Sequence, residues 1–204
     1  MTAKKRVGVL ISGRGSNMMA LIEAARHANY PAEIVCVVSN RPEAEGLKRA
    51  AAMGIVTKIV DHKTYASRED FETALDDYLR SQRLDFLALA GFMRVLSVEF
   101  IAKWRDRAIN IHPSLLPAYR GLHTHERVLA DGVKAHGCTV HLVRAELDNG
   151  PIIAQTRVPV LPGDDAETLA ARVLIEEHRL YPQALALLAS GRIRIDGDQV
   201  KTSS

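Results

Sequence analysis

Val7-Gly8-Val9-Leu10-Ile11-Ser12-Gly13-Arg14-Gly15-Ser16-Asn17 opens the chain with an apolar run, a glycine turn and a polar helix start. An uninterrupted apolar run of strand length predicts a strand over residues 7–11 that is buried on both faces. The pattern from residue 16 to about 28 predicts a helix, with Ser16 or Asn17 near its N-cap. Strand, tight turn and helix make half of a βαβ unit. The rhythm then repeats: strand 34–38, helix 43–53, strand 55–60, helix 68–80, strand 86–90 and a short strand 108–111. Such alternation predicts an α/β fold with a mostly parallel sheet and helices on both faces. Right-handed crossovers would place the loops after the strands along one rim.

The second half changes character. Residues 139–143 and 152–160 read as strands joined by the turn-rich string Glu146-Leu147-Asp148-Asn149-Gly150. A helix is predicted over about 166–188, with Pro182 set to kink or restart it. A last short strand is expected at 193–195, then a polar tail over about 196–204. No repeat, low-complexity tract or linker interrupts the 204 residues, so residues 1–204 read as one domain.

Composition excludes several classes. The formal net charge is only +3, and the one basic cluster is Lys4-Lys5-Arg6, which argues against nucleic acid. The apolar run after that cluster ends within about five residues, too short for a signal peptide, and no stretch approaches the roughly 20 apolar residues of a membrane span. Cys36 and Cys138 stand far apart and read as reduced thiols, so a cytoplasmic location is expected.

The glycine loop is a phosphate-cradle candidate, because glycines bring N–H groups close to a ligand and a helix N-terminus favours an anion. A dinucleotide fingerprint would need a third glycine where Met18 stands, and an acid after the second strand where the chain has Ser39-Asn40. A Walker lysine is also missing. A simpler phosphate ester fits; an ordinary βα turn fits as well. In Ala108-Ile109-Asn110-Ile111-His112-Pro113, strand alternation puts Asn110 and His112 on one face, about 7 Å apart at Cα. A histidine can exchange a proton near neutral pH, and an Asn amide can donate to a developing oxyanion. The pair suits acyl-type transfer, though both groups could instead satisfy strand-end backbone. His112, His123, His125, His136, Cys138 and His141 crowd one region, but without zinc-ligand spacing, so no metal is expected.

Asn110-Ile111-His112-Pro113-Ser114-Leu115-Leu116-Pro117 followed by Gly121-Leu122-His123-Thr124-His125 resembles the signature of the folate-dependent formyltransferases. The glycine loop, Ala90-Gly91-Phe92-Met93-Arg94-Val95-Leu96 and Glu146-Leu147-Asp148-Asn149-Gly150-Pro151 resemble further segments, in the family's order over nearly the full chain. The likeness is to the branch whose acceptor is glycinamide ribonucleotide. It implies a single-domain, Rossmann-like fold with a twisted sheet of about seven strands. It also implies 10-formyltetrahydrofolate as co-substrate, no metal, small-molecule partners only, and a monomer or weak homodimer. Two relatives of the same superfamily, one acting on methionyl-tRNA and one hydrolysing the formyl folate, carry an additional domain that this chain is not expected to have.

Carried over residue by residue, the resemblance makes Asn110, His112 and Asp148 the catalytic set, with Asp148 holding His112 charged by raising its pKa. On composition alone Asp148 is a turn residue. Gly15, Ser16 and Asn17 would bind the acceptor's phosphate, and Glu177 its ribose. Glu177 falls in the apolar helix stripe of Leu169, Val173, Leu180 and Ala184, where a carboxylate needs either a partner or a route to solvent. One turn before it the family carries a polar residue and this chain Leu174. Met93, Arg94, Val95 and Leu96 would line the pterin pocket, with Asn110, Arg144, Ala145, Glu146, Leu147 and Asp148 contributing. On their own Met93 and Leu96 could be plain core. Arg68 would face the folate's glutamate tail; without the family it reads as a solvated helix-start arginine.

Overall fold

The computed structural model describes residues 3–202. The chain divides into two compact units, Met1–Ile109 and Asn110–Ser204. A seven-stranded sheet has the order β3-β2-β1-β4-β5-β6-β7, so the expected strand number is met.

In the first unit β1 (Lys5–Ile11) lies between β2 (Ala32–Ser39) and β4 (Phe86–Leu89), parallel to both, and β2 pairs in parallel with β3 (Val56–Ile59). Val7, Val9, Leu10 and Ile11 are fully buried, as a strand covered on both faces requires. β3 is the sheet's edge, and its Val56 and Ile59 stay exposed. The connecting helices are α1 (Ser16–Ala25), α2 (Glu45–Ala52) and α3 (Arg68–Ser81), with a 3-10 turn at His62–Thr64. Ser67 caps α3 by accepting from Asp70 N–H, and Phe71, Leu75 and Leu79 form its buried stripe. A fourth helix, α4 (Val98–Lys103), stands where the sequence pattern shows no element; six residues are too few for a helical period to register.

The second unit holds β5 (Ala108–His112) from Asn110 onward, α5 (Thr124–Ala130), β6 (Ala135–Leu142), β7 (Ile152–Pro159) and α6 (Ala166–Ala189). β6 and β7 pair antiparallel, with a register shift between Val140 and His141. Helix α5 was not legible in sequence, and β6 begins four residues before the expected start. Pro182 does not restart α6, which runs unbroken through it. Tyr181, Ala184, Leu185 and Leu188 around it are buried, and that packing holds both halves of the helix on the same face.

The polar tail expected from about residue 196 is instead a second strand. β8 (Ile193–Asp196) and β9 (Gln199–Thr202) form an antiparallel hairpin, turned at Gly197 with φ of 59°. Gly197-Asp198 between Ile195 and Val200 carries a hairpin signal that polar composition obscures. The last two residues of that expected tail, 203 and 204, lie outside the described residues.

Candidate functional site

In the second unit the side chains of Asn110, His112 and Asp148 converge. His112 Nδ1 lies 3.4 Å from Asp148 Oδ2, and both side chains are 8% exposed. His112 Nε2 lies 2.9 Å from the Tyr119 carbonyl oxygen. A carbonyl only accepts, so Nε2 carries the proton and donates it. Nδ1 is then the nitrogen turned toward the carboxylate. Gly121 N–H donates to Asp148 Oδ2 at 2.9 Å, which fixes that oxygen. Tyr119 and Asp148 both hold left-handed backbone, with φ of 55° and 49°. Such strain in non-glycine residues costs about 1–3 kcal/mol and collects at sites that need a particular geometry.

A fourth residue, His141 on β6, completes the cluster. Its Nδ1 lies 3.0 Å from the Leu142 carbonyl oxygen and donates to it. Its Nε2 is therefore free to accept, and the Asn110 amide nitrogen stands 3.2 Å away. The same Nε2 lies 3.7 Å from Asp148 Oδ1. One imidazole thus orients the Asn110 carboxamide and faces the carboxylate. Sequence reading placed His141 only in a loose histidine crowd. The register shift beside it turns the side chain in a way that strand alternation does not forecast.

Electrostatics correct one expectation. Burial is the largest influence on His112 and drives its pKa below the ordinary value of 6.5; the Tyr119 carbonyl and the Asp148 charge push it up without overcoming that cost. Asp148 therefore does act on His112 in the expected direction, but burial outweighs it and the balance lies below the ordinary value. Burial works to raise the Asp148 pKa as well, but its contacts with His141 and the Gly121 N–H outweigh it, so its carboxyl lies below the usual range.

The glycine loop lies in the first unit. Gly15, not Ser16 or Asn17, is the N-cap of α1, with φ of 70° and no side-chain cap. A Cβ at Gly15 would come 3.0 Å from Gly46 Cα and from Met18 Cε, so a glycine is needed here for space as well as conformation. Ser16 and Asn17 start the helix, and its first N–H groups have no side-chain cap. Met18, where a dinucleotide binder keeps its third glycine, is fully buried. The segment 93–96 leaves Met93 and Val95 more than half exposed while Leu96 is buried; two exposed apolar residues on one loop are more than plain core would leave. Arg94 is exposed beside them. Arg68 is the first residue of α3 and pairs with Glu72 at 3.0 Å, and both line a cleft of about 420 Å³ with Ser97 and Lys103.

Back in the second unit, Glu177 is buried with the rest of its stripe, and its charge helps burial push the Cys138 thiol up to about 12. Arg144 donates to the Val143 carbonyl, Ala145 and Glu146 are exposed, and Leu147 is more than half exposed. His125 Nδ1 and His136 Nε2 are hydrogen-bonded at 3.0 Å, and among the described residues no group of three or more His, Cys, Asp or Glu is placed to hold a metal ion.

The family model described as "Formyl transferase" matches residues 5–185. The chain is 43% identical over 187 residues to the phosphoribosylglycinamide formyltransferase of Escherichia coli (strain K12), covering 92% of this chain and 88% of that protein. It is 52% identical over 193 residues to the trifunctional purine biosynthetic protein adenosine-3 of Drosophila pseudoobscura pseudoobscura. That match covers 94% of this chain but only 14% of the longer protein. The crystal structure of glycinamide ribonucleotide transformylase 1 from Symbiobacterium toebii superposes with a TM-score of 0.97 at 43% identity, covering 100% of this chain and 96% of that one.

Proposed function

As the chain belongs to the formyl transferase family, we propose that it moves the formyl group of 10-formyltetrahydrofolate onto the amine of glycinamide ribonucleotide. The products are formylglycinamide ribonucleotide and tetrahydrofolate, a step of purine biosynthesis. The observation that carries this reading is the convergence of Asn110, His112 and Asp148 in one buried cluster.

The chemistry follows from the hydrogen bonds. The acceptor amine attacks the formyl carbon, and negative charge grows on the formyl oxygen. Asn110, held through one amide hydrogen by His141, has its other for that oxygen. His112 rests neutral with Nδ1 unprotonated, so it takes the proton the amine releases. Asp148 at 3.4 Å offsets the charge of the imidazolium formed. As the bond from the formyl carbon to the folate nitrogen breaks, His112 returns the proton to that nitrogen, and the imidazole is neutral again. Gly15, Ser16 and Asn17 take the acceptor's phosphate on uncapped N–H groups, and Glu177 its ribose. Met93, Arg94, Val95 and Leu96 hold the pterin with Arg144, Ala145, Glu146 and Leu147, and Arg68 faces the glutamate tail.

In this reading residues 1–204 work as one formyltransferase domain, in the cytoplasm, as a monomer or weak homodimer, on small molecules and without a metal. Among the described residues no helix is long and apolar enough to cross a membrane. The test is a spectroscopic assay of tetrahydrofolate formation with both substrates. His112→Ala and Asp148→Asn should each lower turnover by about 10²–10⁴-fold, the span of a general acid–base contribution, with the fold intact by circular dichroism. Normal turnover in either variant defeats the mechanism.

A further inference from the structure

Asn40 follows β2 at the place where dinucleotide binders keep a ribose-binding acid, and the chemistry above makes no use of it. It is 1% exposed. Its Oδ1 accepts from the Ser12 hydroxyl at 2.5 Å. Ser12 in turn holds the 91–93 backbone from two sides: its N–H donates to the Gly91 carbonyl at 3.0 Å, and its Oγ accepts from Met93 N–H at 2.8 Å. Because Oγ accepts from Met93, the hydroxyl hydrogen is left for Asn40, and the chain of donors has a single direction. With Oδ1 committed, the Asn40 amide nitrogen turns toward His62 Nδ1 at 3.2 Å, and that ring nitrogen also lies 2.9 Å from the Asn40 carbonyl oxygen.

Packing does little to place residues 93–95, since Met93 and Val95 stand mostly in solvent and only Leu96 at the far end is buried. The adjoining glycine loop has anchors of its own, Gly46 N–H on the Gly13 carbonyl and Met19 N–H on the Gly15 carbonyl, each at 3.0 Å. Loss of the Ser12 contact would therefore loosen the 91–96 segment and leave the loop in place. We infer that Asn40 is a positioning residue for the formyl donor, acting through the Ser12 hydroxyl to fix the backbone of the folate-binding segment. This rests on the proposed function, in which that segment binds the pterin.

The test is steady-state kinetics on Ser12→Ala, Asn40→Ala, the double variant and Asn40→Asp. A buried hydrogen bond of ordinary strength predicts that each single alanine raises the KM for 10-formyltetrahydrofolate about five- to tenfold, with kcat and the acceptor KM changed less than about twofold. The double variant should match the single ones, because both break one link. Asn40→Asp keeps an oxygen for the Ser12 hydroxyl and should return the donor KM toward the unsubstituted value. Additive effects, an unchanged donor KM, or equal losses in kcat and both KM values overturn the inference while the proposed function stands. An unsubstituted protein that forms no tetrahydrofolate overturns both. Ser12→Ala removes one oxygen from a packed position; a melting temperature close to that of the unsubstituted protein confirms a folded comparison.

Discussion

His112 carries two hydrogen-bonding nitrogens with opposite demands. Nε2 is committed as donor to Tyr119, so Nδ1 alone can change its protonation during a reaction. Burial lowers the ring's pKa and Asp148 partly offsets that, which fixes the sign of a titration. In an NMR pH titration the His112 midpoint should lie below 6.5, and Asp148→Asn should move it lower still, because the charge that raises it is gone. A midpoint that rises in the variant contradicts the arrangement. His141 acts one step away from the chemistry. His141→Phe leaves the Asn110 amide without its acceptor, and kcat should fall about tenfold while the acceptor KM holds. At this scale Asn110 and His112 were legible, since two-residue spacing on a strand puts them on one face. Asp148 was legible only through resemblance, because Asp-Asn-Gly reads as a turn. His141 was missed.

The elements that position these residues depend on close backbone approaches. A Cβ at Gly137 on β6 would lie 2.0 Å from the Thr156 carbonyl oxygen on β7. No rotamer relieves a clash with backbone. Gly137→Ala should therefore destabilise the protein by more than about 3 kcal/mol in urea unfolding, beyond the usual range of single substitutions. Wild-type stability in that variant would mean that the strands can part there without loss. β6 also holds the segment after His112, for Thr139 Oγ1 donates to the Ser114 carbonyl at 2.6 Å and accepts from Leu116 N–H at 3.1 Å. Helix and strand assignments were legible where an apolar run or a helical period stood out, as in β1, β2, α3 and α6. Helices α4 and α5 and strand β9 were not. They are short, and four to seven residues carry too little periodicity to register as an element.

Across the whole molecule, buried histidines make stability depend on acid. His136 is 1% exposed, and burial, reinforced by the charge of His125, holds its pKa at about 4 against 6.5 for the unperturbed side chain. The folded pKa is the lower one, so the unfolded chain takes the proton first as pH falls. Its contribution is complete above pH 6.5 and is lost progressively down to pH 4, in total about 3 kcal/mol. His112 and His125 shift in the same direction. Asp164, held at about 2 chiefly by Arg172, loses its contribution only below that window. Urea unfolding at pH 6.5 and pH 4.5 should show the drop, and His136→Leu should flatten it; an undiminished slope in that variant would assign the protons elsewhere. The amino-acid order by itself determined the alternation of strands and helices, the glycine turn after β1 and the pairing of Asn110 with His112. Each of these arises from neighbours along the chain, through periodicity and local backbone sterics. Only the tertiary structure decided that Asp148 and His141 reach that pair, that burial pulls the His112 pKa down and that Asn40 is tied to Met93 through Ser12. Those outcomes depend on groups far apart in sequence, and on a loss of solvent that no linear pattern records.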